Sequence, residues 1–221
     1  LRYIEALEPR VDDRHYSVGS MFHVGGLMAG ILGPLSARIS SVIEAKFSVS
    51  RFWDRVRETG ATIIDPVGSM IVLLCRQPPS DQDRAHNVRV SLGITGQIPD
   101  EVPESFTKRF GIELLNLYSL TEAGGLLIVS NSLGSPRPKA NGKASHWGEI
   151  RIVDERGQGL PRGTTGEITL RPEVPYSFML GYHNNPERTL EAFTNLWLHT
   201  GDLGYLDEDG FLYFIGRQAH W

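Results

Sequence analysis

The first half of the chain alternates between two kinds of apolar segment, and this alternation constrains the fold more than any other feature. Short segments with β-branched, aromatic or other apolar residues predict strands over 16–22, 39–43, 62–64, 88–92 and 112–117. Segments with apolar residues at helical spacing lie between them and predict helices over 24–37, 48–60, 68–77 and 101–110. Strands that alternate with helices form parallel sheets with helical crossovers. We therefore predict an α/β fold with a doubly wound, mostly parallel sheet.

The second half changes character after a segment rich in turn-forming residues. Residues 131–147 bring Gly, Pro, Asn and Ser close together, which indicates a boundary. Beyond it, a period of two indicates strands over 148–154 and 166–171. A helix over 186–193 and a hairpin turning at Asp207–Gly210 follow. We expect an α/β subdomain over 1–135 and a smaller β-rich, distorted barrel-like subdomain over 136–221.

Composition argues against several classes of protein. The net charge of −4 gives no basic field for nucleic acid or anionic membrane. No apolar run reaches the length of a membrane span, and the residues after Leu1 are charged, unlike a signal peptide. The single cysteine, Cys75, lies in an apolar run and is interpreted as a core residue, not a nucleophile. These features indicate a cytoplasmic protein that is not integral to the membrane.

Unusual residues follow several of the predicted strands. In open parallel sheets, ligands bind beyond the carboxyl ends of the strands. Such ends carry Gly, His, Thr, Tyr and acidic residues here, and we expect them to converge on one crevice. The segments are Phe22–Gly26, Gly93–Gln97, Asn116–Gly125 and His199–Asp202.

Each of these segments also has an explanation that needs no ligand. His23 alone fits a satisfied buried histidine. Ser119 and Glu122 together fit a capping box at the start of a helix. Asp202 fits a turn acid and Arg217 a surface charge. The seven histidines are scattered and show no zinc-ligand spacing.

Taken in order and spacing, the motifs resemble the adenylate-forming acyl-CoA ligase superfamily, and the resemblance covers essentially the whole chain. It implies an AMP-forming acid–thiol ligase that uses ATP and Mg²⁺. Such an enzyme joins a carboxylic acid to AMP and then passes the acyl group to coenzyme A. The motifs are Met21–His23, Tyr118–Glu122, Gly166–Ile168 with Met179–Tyr182, Thr200–Phe211 and Tyr213–Arg217.

The resemblance also implies the residues that act on the reacting groups. His23 corresponds to the residue beside the acyl pocket. Thr121 corresponds to the hydroxyl that binds the α-phosphate. Glu122 corresponds to the magnesium ligand, and magnesium prefers oxygen ligands of this kind.

A further set of residues is implied for nucleotide binding. Asp202 corresponds to the acid that accepts both ribose hydroxyls, and Arg217 to the arginine near ribose and phosphate. Tyr118 corresponds to the aromatic residue against adenine, and Asn116 to the reader of its exocyclic amine. The full set is Thr95, Gly96, Gln97, Asn116, Leu117, Tyr118, Ser119, Thr121, Asp202, Phe214 and Arg217.

The chain also departs from the family's pattern. Ser119 stands where most members have Gly, Thr95–Gln97 replaces Gly-Ala-Pro, and Gln218–His220 stands where a Lys or Asp hinge is usual. The family's phosphate loop would precede residue 1, and its C-terminal domain with a catalytic lysine would follow residue 221. We therefore expect the core of a longer enzyme, which alone binds nucleotide weakly and does not turn over.

Two other functions stay open. A peptide-synthetase-like adenylation domain would load a carrier protein, but it usually has an Asp for the substrate amine, and Val24–Ala29 has none. A catalytically incompetent nucleotide-binding remnant would have lost its acids, yet Glu122 and Asp202 are present. Medium-chain, aryl and carnitine-like acids are all left open as substrates, and so is a homodimer.

Overall fold

A computed structural model describes residues 2–93, 98–99, 101–125, 129–131, 133–134, 137 and 139–217. The chain divides into two compact units. Unit 1 is Leu1–Leu117 with Ser132–Pro136, and unit 2 is Tyr118–Asn131 with Arg137–Trp221. The domain boundary that the turn-rich segment indicates at residue 135 stays a prediction.

The first five strands of the chain form a parallel sheet. They are β1 (Arg14–Ser17), β2 (Ser40–Ile43), β3 (Ile63–Ile64), β4 (Val90–Gly93) and β5 (Glu113–Tyr118). Their order is β2-β1-β3-β4-β5, and every neighbouring pair is parallel. The predicted α/β class with a parallel sheet is confirmed.

The first predicted strand, 16–22, is wrong in its extent. β1 ends at Ser17 because the chain turns where the backbone of Gly26 comes close. A Cβ added at Gly26 would lie 2.4 Å from the carbonyl oxygen of Ser20, so only glycine fits this approach.

One helix precedes β1, and the other helices of unit 1 lie between its strands. They are α1 (Arg2–Leu7), α2 (Val24–Leu27), α3 (Gly33–Ala37), α4 (Phe52–Thr59), α5 (Gly68–Cys75) and α6 (Glu101–Phe110). A π-helical segment, Met28–Leu32, joins α2 to α3. The sequence did not predict α1.

Two helix predictions need correction. The region 24–37 is helical but not buried throughout, since Leu27 and Leu35 are exposed. Ser48 does not cap α4, whose N-cap is Arg51 without a side-chain hydrogen bond. Gly60 does end α4 as predicted, because it adopts the left-handed φ of 65° that glycine tolerates at a helix end.

The core of unit 1 packs helices against the sheet. Cys75 is half-buried against this core, and burial raises the pKa of its thiol, as expected of a packing residue. None of the described helices is long and apolar enough to cross a membrane. The largest fully buried side chains of this cluster are Phe52, Ile64, Ile71, Leu74, Phe106, Phe110 and Ile112.

Unit 2 is rich in antiparallel strands. Its elements are β6 (Val129–Ser130), β7 (Lys143–Ala144), β8 (Gly148–Val153), β9 (Gly166–Pro172), α7 (Pro186–Ala192), β10 (Phe193–Thr194), β11 (Trp197–Leu206) and β12 (Leu212–Arg217). β11 pairs with β9 on one edge and with β10 and then β12 on the other, while β8 pairs with β9. The predicted β-rich part and its hairpin at Asp207–Gly210 are confirmed, and α7 begins with the expected Pro186.

A buried ion pair ties three parts of unit 1 together. Arg89 donates from Nη2 to Asp13 Oδ2 (2.6 Å) and to the carbonyl oxygen of Leu7 at the end of α1 (2.9 Å). Thr62 donates to the other Asp13 oxygen at 2.6 Å. Burial alone would raise the pKa of Asp13, but these hydrogen bonds, with one from the Arg10 amide, lower the pKa to about 2.

We predict that Asp13→Asn lowers the free energy of unfolding at pH 7 by about 2–3 kcal/mol. The pKa of Asp13 is lower in the folded chain than its unfolded value of about 3.9, so its stabilisation is complete above about pH 4. That stabilisation is lost as the pH falls towards about 2, where the folded carboxylate takes up its proton. Urea unfolding at pH 7 and pH 2 measures both effects.

The matched control is Asp12→Asn, which removes an exposed carboxylate next to Asp13. Surface substitutions of this kind change stability by about 0.5 kcal/mol or less. Equal losses in the two variants at pH 7 would contradict the role of the buried pair.

Candidate active site

Residues 119–125, the described part of the segment after β5, turn sharply and form no helix. Residues 121–125 form turns, and Gly124 and Gly125 both adopt left-handed φ values (76° and 58°). The capping-box interpretation of Ser119 and Glu122 is therefore wrong, because two consecutive left-handed residues divert the chain. The Glu122 carboxylate is bonded elsewhere.

Tyr118, Asp202 and Arg217 meet around one buried carboxylate in unit 2. The Tyr118 hydroxyl donates to Asp202 Oδ2 at 2.7 Å, and Arg217 Nε donates to Asp202 Oδ1 at 3.1 Å. The Tyr118 and Phe214 rings lie 5.9 Å apart between centroids. The structure thus brings together four residues that the sequence predicted for nucleotide binding.

The protonation of Tyr118 suits this arrangement. Burial, and then the negative charge of Asp202, raise the pKa of the Tyr118 phenol well above its usual range. The phenol therefore stays protonated and donates to the carboxylate. A carboxylate offers about four lone-pair positions, and Tyr118 and Arg217 use one on each oxygen. Asp202 keeps acceptor capacity for a ligand.

An irregular stretch of β11 beside Asp202, where the register with β9 shifts between His199 and Leu203, is held by side-chain hydrogen bonds. Glu167 accepts a hydrogen bond from the Gly201 amide (3.0 Å) and lies 2.7 Å from His199 Nδ1. Thr200 donates its hydroxyl to the carbonyl oxygen of Ile168 (2.6 Å) and accepts from the Asp202 amide (3.0 Å). Glu167 belongs to the Gly166–Ile168 motif of the resemblance, but the sequence assigns it no site role.

Glu122 is half-buried and oriented by a tyrosine. Tyr182 donates its hydroxyl to Glu122 Oε1 at 2.9 Å, and the Met179 amide donates to the Glu122 carbonyl oxygen at 2.8 Å. Within the described part of the chain, Oε2 of Glu122 has no hydrogen-bond partner. Thr121 is exposed beside it.

The surroundings of the Glu122 carboxylate fit a magnesium ligand. The described residues hold no group of three or more His, Cys, Asp or Glu that could bind a metal by themselves. Magnesium commonly takes only one or two protein carboxylates, and phosphate and water oxygens complete its shell. A single carboxylate with one available oxygen, as in Glu122, meets that requirement.

Other predicted site residues lie in or beside β5 and α2. Asn116 is buried, pairs in register with Gly93, and its Oδ1 accepts from the Leu117 amide at 3.0 Å. Leu117 is buried and Ser119 is half-buried. Their ligand roles stay predictions. Thr95, Gly96 and Gln97 lie outside the described residues.

His23 occupies the N-cap of α2, where its Nδ1 accepts from the Gly25 amide at 3.0 Å. It is exposed, so the interpretation as a buried core histidine is wrong. The bond to Gly25 satisfies one of the free amides at the helix start. A role beside an acyl pocket stays a prediction.

Comparison with known families identifies the class of protein. A family model described as AMP-binding enzyme matches residues 2–183. The chain belongs to this family.

Curated proteins of related sequence are named as CoA ligases. The chain is 32% identical over 212 residues to a crotonobetaine/carnitine–CoA ligase of Shigella sonnei (strain Ss046) and to one of Escherichia coli O9:H4 (strain HS). Each alignment covers 96% of this chain and 41% of the relative. The chain therefore spans about two-fifths of the length of these relatives.

Solved structures show the same fold. A benzoate CoA ligase from Burkholderia xenovorans LB400 matches with a TM-score of 0.88 at 24% identity, covering 97% of this chain and 43% of that one. The O-succinylbenzoate coenzyme A synthetase of Bacillus subtilis, in complex with ATP and a magnesium ion, matches with a TM-score of 0.80 at 27% identity. That alignment covers 96% of this chain and 43% of the synthetase.

We predict that Glu167→Ala loosens the irregular stretch of β11 that carries Asp202. The variant loses the acceptor for the Gly201 amide and the partner of His199, so the free energy of unfolding should fall by about 1–3 kcal/mol. Urea unfolding followed by the fluorescence of Trp197 in β11 measures the loss. Glu155→Ala, at an exposed turn of unit 2, is the control, and equal unfolding midpoints for both variants would contradict the prediction.

Proposed function

We propose that this chain carries the nucleotide site of an ATP-dependent carboxylate–CoA ligase. Such a ligase forms an acyl adenylate and then an acyl-CoA thioester. The proposal rests on the buried Asp202 carboxylate with Tyr118, Arg217 and Phe214 around it, in a chain of the AMP-binding family. A carboxylate with free acceptor positions suits the two neighbouring hydroxyls of a ribose.

Arg217 controls access to Asp202. The Asp202 side chain is only 4% exposed, whereas the Arg217 side chain is 73% exposed and bonds to it through Nε. We expect Arg217 to shift when a ribose binds. Its guanidinium then becomes available for a phosphate, which it binds with a geometry suited to two parallel hydrogen bonds.

The remaining nucleotide contacts follow the predicted roles. The aromatic rings of Tyr118 and Phe214 offer faces on which adenine can stack, and Asn116 offers an amide for its exocyclic amine. The exposed Thr121 hydroxyl is proposed to bind the α-phosphate. Thr95, Gly96 and Gln97 complete the adenine site in this proposal, and Leu117 and Ser119 line it.

Glu122 would hold Mg²⁺ through its available oxygen. When bound, Mg²⁺ would neutralise negative charge on the phosphoryl oxygens as a carboxylate oxygen of the substrate bonds to the α-phosphorus and pyrophosphate leaves. His23 is proposed to flank the acyl group. In this proposal, the contribution of unit 2 is to position the Glu122 carboxylate and the Thr121 hydroxyl for the phosphoryl groups.

The acceptor is proposed to be coenzyme A, because the relatives and structural neighbours are named as CoA ligases or synthetases. Their names cover carnitine-like and aryl acids, so the substrate class proposed here is a carboxylic acid without further restriction. We place the reaction in the cytoplasm. A carrier-loading adenylation domain is the second candidate, and transfer of the acyl group to a carrier protein instead of CoA would identify it.

The proposal predicts that Asp202→Asn weakens nucleotide binding. A non-hydrolysable acyl-adenylate analogue, titrated calorimetrically, should bind at least about tenfold more weakly, because the two ribose hydroxyls lose a charged acceptor worth about 1.5–3 kcal/mol per bond. Glu208→Gln is the matched control, since it removes an exposed negative charge from the same hairpin.

Either of two results would overturn the nucleotide assignment. One is analogue binding that Asp202→Asn leaves unchanged. The other is a folded wild-type chain that does not bind the analogue at all. Circular dichroism of each variant confirms that a loss of binding is not a loss of fold.

A further inference from the structure

The Glu122 carboxylate is held by a side chain that the nucleotide site does not use. Tyr182 lies 60 residues further along the chain and donates its hydroxyl to Oε1 at 2.9 Å. A glutamate side chain has several rotatable bonds, and a free one loses conformational entropy when it takes up a metal. A carboxylate that is already held through one oxygen loses less conformational entropy when it binds the metal.

Tyr182 is itself held by contacts with α7 and its N-cap. Its amide donates to Thr189 Oγ1 at 2.9 Å, and that hydroxyl donates to the carbonyl oxygen of Asn185 at 2.8 Å in the first turn of α7. The Arg188 guanidinium lies 5.8 Å from the Tyr182 ring centroid. The phenol is therefore positioned by a helix and not by a free loop.

Gly181 permits this contact. Its φ is 149°, and a Cβ added there would lie 2.9 Å from Thr189 Cγ2, so only glycine lets the chain pass so close to α7. Two residues earlier, the Met179 amide donates to the Glu122 carbonyl oxygen at 2.8 Å. Backbone and side chain of Glu122 are thus both anchored to the segment Met179–Tyr182.

The Tyr182 phenol is suited to act as a donor. Burial, and then its hydrogen bond to Glu122, raise the pKa of Tyr182. The hydroxyl donates to Oε1, and among the described residues Oε2 of Glu122 has no hydrogen-bond partner.

We propose that Tyr182 is a positioning residue that orients the Glu122 carboxylate so that Oε2 meets the divalent cation of a bound nucleotide. The inference rests on the proposed function. Groups that hydrogen-bond to metal-ligating carboxylates typically contribute 10–100-fold to metal affinity. A purely structural hydrogen bond would instead contribute to stability and would leave the metal dependence of nucleotide binding unchanged.

The test compares Tyr182→Phe with Tyr176→Phe. Both remove one hydroxyl from a tyrosine of unit 2, but Tyr176 is 95% exposed. Binding of Mn²⁺ in the presence of ATP, followed by water-proton relaxation, reports the metal. Binding of the acyl-adenylate analogue without metal reports the nucleotide site independently.

We expect Tyr182→Phe to raise the dissociation constant of Mn²⁺ by about tenfold or more, and to change analogue binding less than twofold. Tyr176→Phe should change neither. Thr189→Val, which removes the acceptor for the Tyr182 amide, should shift Mn²⁺ binding in the same direction and provides a second variant.

Unchanged Mn²⁺ affinity in Tyr182→Phe, or equal weakening of metal and analogue binding, would overturn the inference while leaving the nucleotide site in place. Failure of the wild-type chain to bind the analogue would instead overturn the proposed function, and the positioning role with it. The two failures are therefore distinguishable.

Discussion

A buried carboxylate that must keep its charge compensated organises unit 2. Removing Asp202 from water costs several kcal/mol unless donors replace the lost hydration. The end of β5 supplies the Tyr118 hydroxyl, and β12 supplies the Arg217 guanidinium. The antiparallel register places Asp202 opposite Arg217, so the pairing of β11 with β12 also sets the site.

The two acids of the candidate site are supported by the same stretch of chain. Glu167 at the start of β9 holds the irregular stretch of β11 before Asp202, and Tyr182, just before α7, holds Glu122. Sites built in this way keep their groups oriented before a ligand arrives, which reduces the entropy lost on binding. The stretch from Gly166 to Tyr182 thus supplies hydrogen-bond partners to both acids of the candidate site.

Strong local periodicity explains where sequence-based prediction succeeded. The helix over 101–110 and the hairpin at Asp207–Gly210 were found because helix formers and turn residues act over a few positions. The helix start at Ser119–Glu122 failed for the opposite reason. Its local capping pattern is overridden by the turn at Gly124 and by the bond from Tyr182.

The sequence by itself determined the alternation of strands and helices and the order of motifs that resembles the adenylate-forming ligases. Both are local in the chain, so residue type and spacing carry them. Only the tertiary structure decided which groups hold the acids. Tyr182 is 60 residues from Glu122, Glu167 is 34 from Gly201, and Tyr118 is 84 from Asp202. No periodicity relates positions so far apart, because their hydrogen bonds form only once strand pairing and packing have brought them together.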